Sequence, residues 1–275
     1  KAIAIKLGIP FVSSTTTFAF NQYSAKIMKQ GIGELVRMLI SMPKITKNIK
    51  RLQDKGYPIK SVLDIIQNDD NTHTIVYTSF DFQPCADTFS DKYVFVGPSI
   101  RPAADKIVKT KEKLIYISMG TVNNDMMPLY KTCISALADT EYQVIISVGN
   151  LVSINAFGKL SENISVYEHV DQIAVLQVAD IFLSHCGMNS VNESLYFGVP
   201  LLMLPQTAEQ GGVAERVNQL GAGIKLKKTD RVSILNAINK LLLVDSYKEN
   251  AMKIFQFHVQ NNPKYREFLD SKGLI

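Results

Sequence analysis

From Leu114 onward, short apolar runs with β-rich character alternate with segments whose apolar residues recur every three or four positions. The pattern predicts strands at 114–118, 144–148, 164–167, 181–184, 201–204 and 224–226. Between them it predicts helices at 125–138, 171–178, 189–197 and 208–220, followed by helices at 230–243 and about 247–260. Strands that alternate with helices close into a parallel sheet covered on both faces, an α/β architecture. Such sheets take ligands beyond the carboxyl ends of their strands, so the turns after those strands are where chemistry is sought.

The first hundred residues are less regular. Ala2 to Leu7 reads as the end of a helix stopped by Gly8, with a strand entering at 9–13. That strand is apolar enough to want neighbours on both sides. The start therefore reads as a cut inside a domain, with earlier strands missing. Residues 24–55 carry helical spacing, 74–78 and 93–96 are short β-rich runs, and the acidic-amide run at 67–71 reads as a solvated turn in preference to a metal site. Gly97-Pro-Ser-Ile-Arg-Pro-Ala-Ala-Asp105 breaks all periodicity and reads as a linker over 98–105, with domains at 1–97 and 106–255 and a tail at 256–275.

Composition removes several classes. The 275 residues hold 30 Lys+Arg against 25 Asp+Glu, and this net +5 suits an anionic ligand while being too weak to imply nucleic acid. No apolar run approaches the ~18 residues of a membrane-spanning helix. Three scattered cysteines, Cys85, Cys133 and Cys186, show no metal-ligand spacing, and the odd count points to a reducing, cytoplasmic setting. No GxGxxG follows a strand, which argues against a nicotinamide dehydrogenase.

The densest signal is ADIFLSHCGMNSVNESLYFGVPLLMLPQTAEQ, residues 179–210. A buried strand turns at Ser184-His-Cys-Gly187 into a helix that starts near Met188-Asn189-Ser190. The first turn of such a helix has unpaired N–H groups and the positive end of the helix dipole, a natural site for phosphate. His185, Asn189 and Ser190 add donors, and Gly187 lets the backbone come close. Glu193 shares a helix face with Asn189 and Ser190. A carboxylate there repels phosphate but accepts hydrogen bonds from ribose hydroxyls. Glu209 and Gln210, after the next strand, suit sugar hydroxyls. Singly, each has a plainer reading: His185 as a packed residue, Asn189 or Ser190 as a helix cap, Glu193 as a solvated residue. Together they describe one anion-plus-hydroxyl site.

These residues resemble the donor signature of the family 1 UDP-glycosyltransferases, most of all the bacterial macrolide-type branch. The matching positions are His185-Cys-Gly-Met-Asn-Ser190, Glu193, Gly198-Val-Pro200, Pro205 and Glu209-Gln210. Tyr116-Ile-Ser-Met-Gly-Thr-Val122, His169-Val-Asp-Gln-Ile-Ala-Val-Leu176, Phe95-Val-Gly-Pro98 and Leu7-Gly-Ile-Pro10 with Thr16-Thr17-Phe18 are similar to further family segments. The resemblance implies the GT-B fold, two Rossmann-like halves facing across a cleft, here a partial acceptor-binding domain and a complete donor-binding domain. It implies that His185 meets the α-phosphate, that Gly187, Met188, Asn189 and Ser190 with the helix amino end meet the diphosphate, and that Glu193 holds the ribose. Gln172 falls near the nucleoside, Glu209 and Gln210 at the sugar, and Ser118, Gly120 and Thr121 at a strand end facing the cleft.

Two departures stand out. The base-stacking position, usually Trp or Phe, is His169, and the usual Pro is Asp171. The family's catalytic His and the Asp that orients it match no residue of this chain, their places falling upstream of Lys1; His73 and His258 do not sit in matching contexts. The implied reaction transfers a hexose from a UDP-sugar to a hydroxyl of a small hydrophobic acceptor, with inversion and with no metal or other cofactor. The chain contains no Asp-x-Asp. The alternative is a non-catalytic nucleotide-sugar-binding fragment, or a subunit completed by a partner chain. Self-association through the incomplete sheet is a further expectation.

Overall fold

The computed structural model describes residues 1–24, 32–61, 64 and 72–254, and the description is confined to them. They fall into two compact units that divide between Gly97 and Pro98. The 67–71 turn, His258, the end of the last helix and the 256–275 tail lie outside the described residues.

The first unit holds α1 (Ala2–Leu7), β1 (Ser13–Thr15), α2 (Ile32–Asp54), β2 (Thr74–Val76) and β3 (Tyr93–Phe95). The three strands form a parallel sheet in the order β1-β2-β3. Gly8 closes α1 in the left-handed conformation, as the glycine stop predicts. The strand expected at 9–13 is shifted. Pairing begins only at Ser13, whose N–H donates to the His73 carbonyl, and Ile9, Phe11 and Val12 are exposed instead of buried. Pro10 offers no N–H to a ladder, and pairing starts three residues after it.

The second unit is a six-stranded parallel sheet made of β4 (Leu114–Ser118), β5 (Gln143–Ser147), β6 (Ile164–Tyr167), β7 (Ile181–Ser184), β8 (Leu201–Met203) and β9 (Gly223–Lys225). Its helices are α3 (Met127–Leu137), α4 (Gln172–Leu176), α5 (Met188–Tyr196), α6 (Ala208–Gln219) and α7 (Arg231–Leu243). The strand order is β6-β5-β4-β7-β8-β9. In chain order within the unit this is 3-2-1-4-5-6, the doubly wound arrangement whose direction reverses between the first and fourth strands. Here those strands are β4 and β7, paired with Ser118 opposite Ser184 at their carboxyl ends.

Alternation along β4 sorts its side chains between two layers. Ile115 and Ile117 join Ile181, Leu183 and Leu202 in a core with Leu129, Tyr130, Cys133 and Leu137 of α3 and Ile234, Ile238 and Leu241 of α7. Tyr116 and Ser118 point to the opposite face, where Tyr116 stacks on Phe182 with ring centroids 4.7 Å apart. No described helix is long and apolar enough to cross a membrane.

Candidate functional site

The turns after β4 and β7 meet at the reversal point of the sheet. After β4, Ser118 Oγ accepts from the Gly120 N–H at 3.3 Å, and Gly120 has φ +80°, the left-handed region that glycine enters without strain. After β7, Cys186 takes a φ of 67°, held by its N–H donating to Ser184 Oγ at 3.1 Å. His185 lies between the two turns. A Cβ built at Gly120 would come 2.6 Å from His185 Cε1, and one at Gly187 would come 2.6 Å from Nε2. The two glycines therefore make the slot that the imidazole fills. Burial pushes its pKa below the ordinary histidine value, opposed by the charge of Glu209 and the nearby Ser118 carbonyl. The ring is thus neutral at pH 7, with one N–H to donate, and its buried Nδ1 has no hydrogen-bond partner.

The helix that follows begins with Gly187 as N-cap and no side-chain cap, and no acidic residue lies in its first turn. By contrast, Asp171, Thr207 and Asp230 cap α4, α6 and α7 through their side chains. Asn189 and Ser190 sit at the second and third helical positions, so neither caps the helix and the plainer reading of both is set aside. Met188 is buried and Asn189 exposed at the amino end. This end of α5 keeps the positive partial charge of its free N–H groups.

One helical turn further on, Glu193 is half-buried, and burial raises its pKa above the ordinary glutamate value of 4.5. The Gln172 amide is the largest influence in the other direction, donating to Glu193 Oε2 at 2.5 Å and to Ser190 Oγ at 3.3 Å. The structure therefore brings Gln172, Ser190 and Glu193 together, and places Ser118, Gly120, His185 and Gly187 together. Glu209 stands exposed in the first turn of α6, within electrostatic reach of His185. Gln210 is occupied differently from expectation: it closes a capping box with Thr207, and its Oε1 accepts from the N–H groups of Gln206 at 2.8 Å and Thr207 at 3.2 Å. Only its amide nitrogen is left to face a ligand. Thr121 and His169 are exposed, and His169 Nε2 lies 3.5 Å from Glu168 Oε1.

Three residues went unassigned by sequence reasoning. Asp171 caps α4 through the Ile173 N–H and also accepts from Arg101 and from the N–H groups of Ala104 at 2.5 Å and Asp105 at 3.1 Å. The Arg101 guanidinium holds its carboxyl well below the usual carboxylate range. Asp171 thus fastens the 98–105 segment to the helix that carries Gln172. Tyr116 lay hidden in an apolar strand, where its hydroxyl donates to Gln172 Oε1 at 3.2 Å. Among the described residues, no three of His, Cys, Asp and Glu converge on a point that could hold a metal ion.

The family model for UDP-glucoronosyl and UDP-glucosyl transferase matches residues 104–266. An uncharacterized UDP-glucosyltransferase of Bacillus subtilis (strain 168), YojK, is 34% identical over 270 residues, or 93% of this chain and 65% of that protein. The oleandomycin glycosyltransferase of Streptomyces antibioticus is 29% identical over 169 residues, 59% of this chain and 39% of its own length. The crystal structure of the glycotransferase of kitacinnamycin superimposes with a TM-score of 0.82 at 24% identity, covering 95% of this chain and 69% of the other. The fold is thus α/β of the GT-B type, and the chain spans less than two thirds of the length of YojK.

Proposed function

Since the chain belongs to the UDP-glucoronosyl and UDP-glucosyl transferase family, we propose that its second unit binds a UDP-sugar and that the protein transfers the hexose, with inversion, to a hydroxyl of a small hydrophobic acceptor. In this reading the diphosphate sits on the amino end of α5 within reach of the His185 imidazole. Glu193 accepts the ribose hydroxyls, and Glu209 with the Gln210 amide nitrogen meets the sugar. The base lies along His169, and Ser118, Gly120 and Thr121 border the donor. The observation that carries the reading is the uncapped helix end at the reversal point of the sheet, with a neutral imidazole at one side and a carboxylate one turn behind.

The chemistry follows from those charges. As the bond from the anomeric carbon to the UDP oxygen breaks, negative charge collects on the diphosphate. N–H groups already oriented toward it stabilise that charge without reorganising, and this is electrostatic catalysis of the departing group. The proposal calls for no metal. Deprotonation of the acceptor hydroxyl falls to a base that is assigned to no residue of this chain.

Calorimetric titration with UDP and then UDP-glucose tests the binding half. The expected result is saturable binding that Glu193→Ala weakens; a folded protein that binds neither refutes the proposal. Turnover with a phenolic acceptor tests the transfer half, and UDP release no faster than that of Glu193→Ala reduces the proposal to binding alone.

A further inference from the structure

We propose that Tyr116 is a positioning residue for the ribose: its buried hydroxyl fixes the Gln172 amide, which fixes Glu193, and the chain of contacts sets a preference for nucleotides with ribose hydroxyls. The inference rests on Glu193 facing the ribose. Tyr116 is 1% exposed within a strand whose five residues are all buried. A phenylalanine would fill the same space and stack equally on Phe182. The hydroxyl therefore adds only a polar group that must be satisfied where water does not reach it. Its satisfaction comes from Gln172 Oε1 at 3.2 Å, and the Ser118 and Ser147 hydroxyls also approach it.

The direction of the contacts carries the argument. A carboxylate accepts only, so the Gln172 end that faces Glu193 is the NH2 group. A phenol donates to the other end, the oxygen. The amide is thereby held at both ends in one orientation, with its NH2 group donating to Glu193 Oε2 and Ser190 Oγ. One carboxylate oxygen is engaged by the protein, and the carboxylate is kept in a fixed orientation toward its ligand. Hydrogen bonds in series polarise one another, so the loss of the far member weakens the near one. Strand β4, the spine of the sheet, thus reaches the ribose through the side chains of Tyr116, Gln172 and Glu193.

The test compares UDP with 2′,3′-dideoxy-UDP in calorimetric titrations of wild type, Glu193→Gln and Tyr116→Phe. Tyr116→Phe is expected to weaken UDP about fivefold, the size of one neutral hydrogen bond, while dideoxy-UDP binds unchanged. Equal weakening of both ligands, or of neither, overturns the inference. A wild type that binds both ligands alike removes the ribose reading and the positioning role with it. Discrimination that depends on Glu193 but survives Tyr116→Phe removes the positioning role alone. A second readout needs no variant: in wild type labelled with 13Cζ-tyrosine, the Tyr116 resonance should move with UDP and stay in place with dideoxy-UDP. Movement with both ligands, or with neither, contradicts the relay.

Discussion

Gly187→Ala presses directly on the slot that holds the His185 imidazole. Gly187 has φ −60° and ψ 137°, ordinary backbone for any residue, so alanine introduces no dihedral strain. As N-cap it costs up to ~1 kcal/mol of stability, a small loss. The added Cβ, however, would lie 2.6 Å from His185 Nε2 and 3.2 Å from Cε1. Restoring ordinary contact requires the ring to withdraw by most of an ångström, and the backbone at Gly120 closes its other side. A hydrogen bond to a charged phosphate is worth roughly 1.5–3 kcal/mol. Gly187→Ala should therefore weaken UDP by about 10- to 100-fold in calorimetric titration, at 1.4 kcal/mol per decade. His185→Ala should do the same. The double variant should lose less than the sum of the two single losses, because the group that the new methyl collides with is gone. Additive losses, or a Gly187→Ala protein that binds UDP like wild type, would refute the slot and the role given to the imidazole.

Other perturbations read other parts of the site. Glu193→Gln should be more stable than wild type at neutral pH, because the carboxylate's pKa is raised by burial and its ionised form is disfavoured in the fold. In wild type that destabilisation fades as pH falls through the raised value toward 4.5; thermal melting against pH checks both points, and UDP affinity should fall in the variant at every pH above that window. Asp171→Ala should cost about 2 kcal/mol, from a helix cap together with charge-assisted bonds. Its lowered pKa places that stabilisation above the ordinary value of 3.8 and removes it as pH falls below, so the wild-type and variant melting curves should converge in acid. Gln210→Ala should lose about 1 kcal/mol of stability through the capping box, while Glu209→Ala should leave stability unchanged and weaken UDP-glucose relative to UDP in paired titrations.

Much of the second unit was legible because its elements are short and its periods clear. The strands at 114–118, 164–167 and 181–184 fall where the apolar runs place them, and α5 starts within a residue of its expected position. The strand expected at 9–13 starts only at Ser13, because apolar content alone says nothing about which backbone groups find a partner. Polar satisfaction was harder to foresee than apolar periodicity. Gln210 turned inward to its own helix cap, which its spacing from Thr207 could have signalled. Asp171 stood out as a departure, yet its partners Arg101, Ala104 and Asp105 lie some seventy positions away in the chain. Tyr116 was unreadable as a site residue in an apolar strand, because the parity that places it beside Ser118 matters only once Gln172 is known to lie above it.

The amide resonances of Met188, Asn189 and Ser190 give the most direct test of the diphosphate site. Titrated with UDP, these three should shift strongly and saturate together with the calorimetric isotherm, while uridine, which lacks the phosphates, should barely move them. A folded protein that binds UDP with those amides undisturbed, or that shifts them equally with uridine, would contradict the account.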